Sequence, residues 1–478
     1  MPNDYPGDTF DREVPDCAPP SLLRAFDAID IAYDISSTSR AAHGRDWWPL
    51  SIYDVNRGHV PHWPGVVVRP RSTLEVTQVV KIAGEHATPL TAQGGRSGVV
   101  GGGVAPDGGI ALDLTALNSI VGVDVTSGNV RVGAGVFGPQ LEEHVRAMGW
   151  TVGHFPQSFD LATVGGWIAC RGAGQYSNRY GKIEDMVRAL TVVLASGEVV
   201  ELGGRAPRQA VGPDLMQLFI GSEGTLGVIT EATLTMHPEP AFEQRAAFGF
   251  DTFDEGLEAC RRIMQRDARP AVLRLYDNAE SERNFGLGQC ALVVLDEGDS
   301  LLVEATMAIV HEECRGASTL DEALVAQWLA HRNDVSALAS LWENGIVVDT
   351  IEVAGSWTAL SDMRTRVTRA LEAVDSMLVV SVHQSHAYID GACLYFTFAG
   401  RPTGDPTFFY RSAWDAASTT VMDCGAALSH HHGIGRNRAR FMPVALASAY
   451  PLLTALKAQL DPLNILNPGA LGLGGPPW

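Results

Sequence analysis

Cysteine is scarce and scattered. Cys17, Cys170, Cys260, Cys290, Cys314, Cys393 and Cys424 are an odd set with no Cys-x-x-Cys pair, which argues against an iron–sulfur cluster or a disulfide framework and fits a reducing cytoplasm. Basic charge is also short. With Lys+Arg at 35 and Asp+Glu at 55 the net charge is -20, so no nucleic-acid partner and no anionic membrane surface are expected. The start, MPNDYPGDTFDREVPD, is acidic and polar, and no stretch reads as the ~20 apolar residues of a span, so neither a signal peptide nor an integral membrane segment is expected. Two familiar nucleotide-binding loops are missing as well. No glycine run ends in Gly-Lys-Ser/Thr, and none is set to open a dinucleotide helix directly from a strand.

Glycine is plentiful, at 50 in 478 residues. The segment Thr91 to Leu117, TAQGGRSGVVGGGVAPDGGIALDLTAL, lets backbone amides approach a phosphate closely and tolerates positive φ. It leads into the alternating strand Ile110 to Leu114, so it reads either as a pyrophosphate cradle or as a glycine-rich connection between strands. Two further stretches favour the cradle. One, from His154 to Gly174, holds Ser158, Thr163, Gly165 and Gly166, where hydroxyls and a helix start can line an anion. The other is Phe219 to Thr230, with Gly221, Gly224 and Gly227.

A mass of 51.1 kDa and a mean hydropathy of +0.04 describe a globular protein of two or more domains. Residues 1 to 58 read as a leader with a short helix near Leu22 to Ile31, docked by Trp47 and Trp48. From there the pattern is α/β with a mixed sheet. Strands are expected near Val66 to Pro70, Pro89 to Ala92, Ile110 to Leu114, Ile120 to Asp124 and Asn129 to Val132, with helices at Ser72 to His86 and Phe137 to Met148. Beyond residue 240, strands are expected at Ala246 to Phe250, Ala271 to Tyr276, Cys290 to Asp296, Ile346 to Glu352, Met377 to Ser381 and Cys393 to Ala399. Helices between them are Phe253 to Arg266, Leu301 to Glu313 and Trp357 to Asp375.

Four motifs, Gln93-Gly-Gly-Arg-Ser-Gly98, Pro156-Gln-Ser-x5-Val-Gly-Gly166, Tyr180-Gly-Lys-Ile-Glu-Asp185 and Gly221-Ser-Glu-Gly-Thr-Leu-Gly-Val-Ile-Thr230, together resemble the FAD-binding domain of the vanillyl-alcohol-oxidase/p-cresol-methylhydroxylase superfamily. Arg269 to Asn278, Asp390 to Phe396 and Leu428-Ser-His-His-His-Gly-Ile-Gly435 are most similar to its alkylglycerone-phosphate synthase branch. The implied fold is α+β: a two-subdomain α/β FAD-binding domain of the p-cresol-methylhydroxylase type over 59 to 240, plus a cap domain over 241 to 425 with an antiparallel sheet and flanking helices. Residues 426 to 478 would return to the flavin.

The resemblance implies FAD, held non-covalently because Arg96 follows Gly94-Gly95 where a histidyl-flavin branch has histidine. It points to Gln93, Gly94, Gly95, Arg96, Ser97, Gly98, Gln157, Ser158, Thr163, Gly165, Gly166, Glu223, Gly224, Gly227, Val228 and Ile229 as cofactor-binding. The expected catalytic residues are Tyr395, His430, His431, His432 and Arg274. A tyrosine beside imidazolium can have its pKa lowered, and the pair suits removal of a proton. Consecutive histidines cannot converge on one ion in a regular helix or strand, and no carboxylate or cysteine is near in sequence, so no metal is expected.

The synthases carry an arginine where the chain has Leu338, with Arg332 six residues earlier, and another where it has His383. A phosphorylated substrate calls for fixed cations. The favoured expectation is therefore an FAD-dependent oxidoreductase acting on a small hydroxyl-bearing substrate, with oxygen, a quinone or another molecule as electron acceptor. The alternatives are an alkylglycerone-phosphate synthase-like transferase and a non-catalytic flavoprotein subunit. A homodimer is left open.

Overall fold

The computed structural model describes residues 14–334, 340–342 and 344–475. The start of the leader and Leu338 lie outside them. The first subdomain is a four-stranded sheet in which Val66–Val68 and Leu90–Gln93 both run parallel to Ile110–Asp113, with Tyr33–Asp34 antiparallel at the edge. The helix Thr73–Glu85 starts where predicted: the Ser72 hydroxyl accepts the Glu75 amide, and Val76, Val79, Val80 and Ala83 pack into the core.

Where the sequence suggests one mixed sheet, the chain builds two. The second is wholly antiparallel, in the order Ile120–Asp124, Asn129–Gly133, Val228–Thr235, Val187–Val193, Val199–Gly203. Its central pairing joins strands about a hundred residues apart, such as Glu231 opposite Gly133, and local periodicity carries no record of such a contact.

The cap sheet has seven antiparallel strands in the order Ser318–Leu320, Phe242–Phe250, Cys290–Gly298, Val272–Tyr276, Met377–Ala387, Gly391–Gly400, Val347–Ser356. Six match the expected strands, and Ser318–Leu320 is an added short edge. Met377–Ala387 runs well past the expected end at Ser381, because the polar run His383 to His386 is buried and still pairs with Gly391–Gly400 through a bulge between Gln384 and His386. The helices Phe253–Gln265, Ser300–Glu313, Trp357–Glu372 and Pro406–Asp423 flank this sheet.

The leader helix is Pro20–Asp27. Trp48 is buried and donates its indole N–H to Tyr410 at 2.9 Å, Tyr410 donates to Asp349 at 2.6 Å, and the Trp47 amide donates to the Gly98 carbonyl at 2.8 Å. The tail pairs with the first sheet: Leu90 and Leu466 form a parallel bridge, and the buried Lys457 ammonium donates to the Thr225 and Leu466 carbonyls and to Asp461. Cap and cofactor half are also pinned together directly. Tyr180 donates to Glu297 at 2.6 Å, Arg179 pairs with the buried Asp296 at 3.2 Å, and the Ala387 amide donates to Asn178 at 3.2 Å.

One expectation about apolar runs needs correction. Among the described residues, the helical run Ala439–Leu460 meets the length and hydropathy of a membrane span. It is not one straight helix: Ala447 takes a positive φ of 45° and separates Met442–Leu446 from Tyr450–Leu460.

Candidate active site and cofactor half

The three glycine stretches meet. A Cβ on Gly94 would collide with Thr163 Oγ1, and one on Gly95 would collide with the Leu161 carbonyl, so the first loop is pressed against the second with no room for a side chain. Thr163 caps the helix Val164–Cys170 by accepting the Gly166 amide. Gly165 packs on Ala134. Each stretch holds one non-glycine residue in the left-handed region, Arg96 at φ 54°, Arg171 at 57° and Glu223 at 50°. Strain of this kind persists where surrounding contacts over-determine the backbone.

The other predicted cofactor residues divide. Gln93 is buried and donates to the carbonyls of His43 and Gly103. Ser158 is half-buried while Gln157 is exposed. Gly227 packs against Val192 and Phe219, and Val228 and Ile229 are buried in core clusters, so Gly227 leads into, and the other two begin, the strand Val228–Thr235 behind the loops. Glu223 ties this half to the C-terminal segment. Its carboxylate accepts the amides of Ile434 at 2.6 Å and Gly435 at 2.8 Å, and burial pushes its pKa up to about 7. Arg96, Ser97 and Gly98 lie in the same loop, which Asp46 braces from the leader by accepting the Gly103 amide.

Along and just after these stretches the buried Gln93 Oε1, Trp167 Nε1, Gln175 Oε1, Ser177 Oγ and both ring nitrogens of His154 have no hydrogen-bond partner among the described residues. Unsatisfied buried polar groups in such number are uncommon. They fit FAD, which presents phosphate oxygens, a ribityl chain and a ring edge able to pair with them.

On the cap side, the histidine segment is wrapped around one buried carboxylate. Glu352 Oε1 accepts the amides of His430, His431 and His432 at 3.1, 3.2 and 2.9 Å and the Ser429 hydroxyl at 2.6 Å. Its other oxygen takes a bond from the fully buried Arg438. Burial opposes ionisation of Glu352, but Arg438 and the histidines hold it well below the usual carboxylate range. Behind it, His432 Nδ1 stands 3.2 Å from Glu352 Oε2, at ion-pair distance without hydrogen-bond alignment, while His432 Nε2 is 3.3 Å from the Tyr395 hydroxyl. Tyr395 lies opposite Glu352 across the strand pair, and its oxygen accepts the Thr350 hydroxyl at 3.1 Å.

The protonation expectation is overturned. Burial, reinforced by Glu352 and Asp349, pushes the Tyr395 phenol up. Burial also pushes His430 down to about 3 and His431 well below its ordinary value. Tyr395 is thus a neutral hydrogen-bonding phenol, and His430 and His431 are neutral imidazoles.

The premise against a metal is corrected too, since the fold brings both a carboxylate and a cysteine to the histidines. Ligand atoms of His386, Cys393, His430 and His431 lie within 4.8 Å of one another. The imidazoles have protein partners there: His386 engages Ser385 and the Gly174 carbonyl, and His430 engages His431 at 2.8 Å and the Tyr388 hydroxyl at 2.5 Å.

Arg274 joins from the strand Val272–Tyr276. Its Nη2 is 2.6 Å from His383 Nε2, and the His383 ring stacks on Tyr395 with centroids 4.7 Å apart. The guanidinium lies against the Tyr276 and Trp328 rings. Arg332 lies over the same Trp328 ring at 5.5 Å. Glu280, Glu352, His383, His386 and Tyr388 were not singled out as site residues from sequence. Glu352 is buried on a strand whose neighbours on both faces are also buried, so alternation along the strand does not single it out.

An FAD-binding domain model matches residues 64–203 and the C-terminal domain model of FAD-linked oxidases matches residues 239–471. The uncharacterized FAD-linked oxidoreductase YgcU of Escherichia coli (strain K12) is 30% identical over 85% of this chain and 89% of its own length. The chain belongs to the FAD-linked oxidoreductase family. Within that family it is also similar to the alkyldihydroxyacetonephosphate synthase of Caenorhabditis elegans, 26% identical over 91% of this chain and 80% of the relative. A solved alkyldihydroxyacetonephosphate synthase shares the fold, with TM-score 0.80, 24% identity and coverage of 98% of this chain and 87% of that one. FAD is therefore the cofactor, and the matched FAD-binding domain, residues 64–203, contains the unpartnered polar atoms described above.

Proposed function

We propose that this FAD-linked oxidoreductase oxidises a small organic substrate that carries a hydroxyl and an anionic group. The observation that carries the reading is the meeting of Tyr395, His432 and, through His383, Arg274. Arg274 has no carboxylate at ion-pair distance among the described residues, so its charge is available to a ligand. FAD, when bound, supplies the acceptor for the two electrons that leave the substrate carbon as hydride.

The chain's residues manage the accompanying proton. Tyr395 accepts a hydrogen bond from the substrate hydroxyl while its own proton points to His432 Nε2. Glu352 favours the His432 tautomer with Nδ1 protonated, which leaves Nε2 free to accept. The buried imidazoles around them exclude water from the reacting atoms. Gln93 to Gly98, the Ser158 to Gly166 turn and helix, and Glu223 with Gly224 hold or frame the cofactor, without a covalent bond at Arg96.

A second reading has its own support. Arg274 and Arg332 share the Trp328 ring, and two guanidiniums suit a phosphate dianion, as in a synthase acting on an acyl-ketone phosphate. An anaerobic absorbance titration separates the two. Bleaching of the flavin by a 2-hydroxy acid or alcohol, reversed by oxygen or a quinone, is the expected result. Bleaching only by palmitoyl-glycerone phosphate, followed by alkyl transfer from a fatty alcohol, replaces it with the synthase reading.

A further inference from the structure

We propose that His383 is a positioning residue that insulates Arg274 from the buried carboxylate of Glu280 and so keeps the guanidinium available to an anionic ligand. The inference rests on the reading of Arg274 as the anion-holding group. Strand register creates the arrangement: His383 pairs opposite Tyr276, two residues beyond Arg274 on the same face. Glu280 enters from the helix Asn278–Phe285 and is 1% exposed. An opposite-signed pair this close in a poorly solvated interior attracts strongly. Direct contact would quench both charges, yet the two are held one imidazole apart.

The hydrogen bonds fix the state of the ring. A guanidinium can only donate, so His383 Nε2, 2.6 Å from Arg274 Nη2, accepts. The ring proton then sits on Nδ1 and is donated to Glu280 Oε2 at 2.8 Å. His383 is neutral, and both of its nitrogens are committed, which removes it from direct proton transfer with substrate. Glu280 is satisfied without Arg274: Ser381 donates at 3.0 Å, Thr397 at 3.1 Å, and Arg283 lies at 3.3 Å. Among the described residues Arg274 Nε has no hydrogen-bond partner, and the guanidinium is flanked by aromatic faces, which leaves its charge unneutralised.

The test is calorimetric titration of the FAD-loaded protein with oxalate, a carboxylate with no hydride to give, and in parallel with inorganic phosphate. In H383A the arginine falls onto Glu280, and affinity for the anion drops by about ten-fold or more. The double variant E280Q/H383A has no carboxylate to capture Arg274 and regains most of that loss, which a mere packing defect would not allow. Should H383A fail to fold, H383V, suited to the strand and shorter than the imidazole, reopens the same gap and is expected to weaken binding equally, with E280Q/H383V as its rescue. A folded H383A or H383V that binds the anion as wild type does, or a double variant no better than its single, overturns the spacer. Wild-type protein that binds neither anion overturns the reading of Arg274 itself, and the spacer with it.

Discussion

The two halves of the molecule make their sites from different materials. The cofactor half uses backbone: glycines pressed against a neighbouring loop, a helix start at Thr163, and strained turns at Arg96, Arg171 and Glu223. The cap half uses side chains on long strands, with Glu352, His383 and Tyr395 placed by cross-strand register and Glu280 brought to them by the helix Asn278–Phe285. A backbone site tolerates change in the side chains around it but not an added Cβ. A register-built site tolerates little change in its buried polar partners.

The largest effect that sharpens this contrast is expected from Glu352→Ala. It leaves Arg438 buried without its partner and three histidine amides without an acceptor, a loss of about 3–5 kcal/mol that chemical denaturation would register as a lower midpoint. Tyr395→Phe comes next. It keeps the fold and FAD, and slows flavin reduction by the identified substrate about 10²–10³-fold in anaerobic stopped flow. Equal loss of FAD would break the division between the halves.

The third test is pH. Burial opposes ionisation of Glu280, but His383, Arg283 and Ser381 hold it down at about 2, against about 4.3 when unfolded. Its folded value is depressed, so its contribution is complete above the unfolded value and is lost as pH falls from there toward 2, amounting to about 3 kcal/mol at most. Thermal melts of wild type should steepen in their pH dependence below pH ~4.3, with Glu280→Gln flatter over that window. The smallest effect is expected from Gly95→Ala, whose methyl meets the Leu161 carbonyl. Displacing that loop costs about 1–3 kcal/mol, read as weaker FAD affinity by fluorescence titration with the cap's melting unchanged.

This contrast also explains what was legible in the chain. The glycine stretches and the Ser72 cap are local signals, since φ freedom and capping are written within a few residues. Tyr395 and the three histidines were legible through family likeness. Glu280, His383 and Glu352 acquire roles only when elements far apart in sequence meet: Glu280 meets Thr397 across 117 residues and Glu352 meets His432 across 80. The lowered tyrosine pKa expected from adjacent imidazolium failed for the same reason, because burial is a property of the assembled cap. The single mixed sheet failed where Asn129–Gly133 found its partner in Val228–Thr235.

The pins between cap and cofactor half, Tyr180 to Glu297, Arg179 to Asp296 and Asn178 to Ala387, together with the leader's grip on Tyr410, bear on traffic through the enzyme. A clamshell that swung wide would have to break several buried polar pairs in every turnover, each costly to leave unmade. The expected consequence is exchange of substrate and product past locally moving side chains and loops at the rim of the cap, without a wide hinge motion.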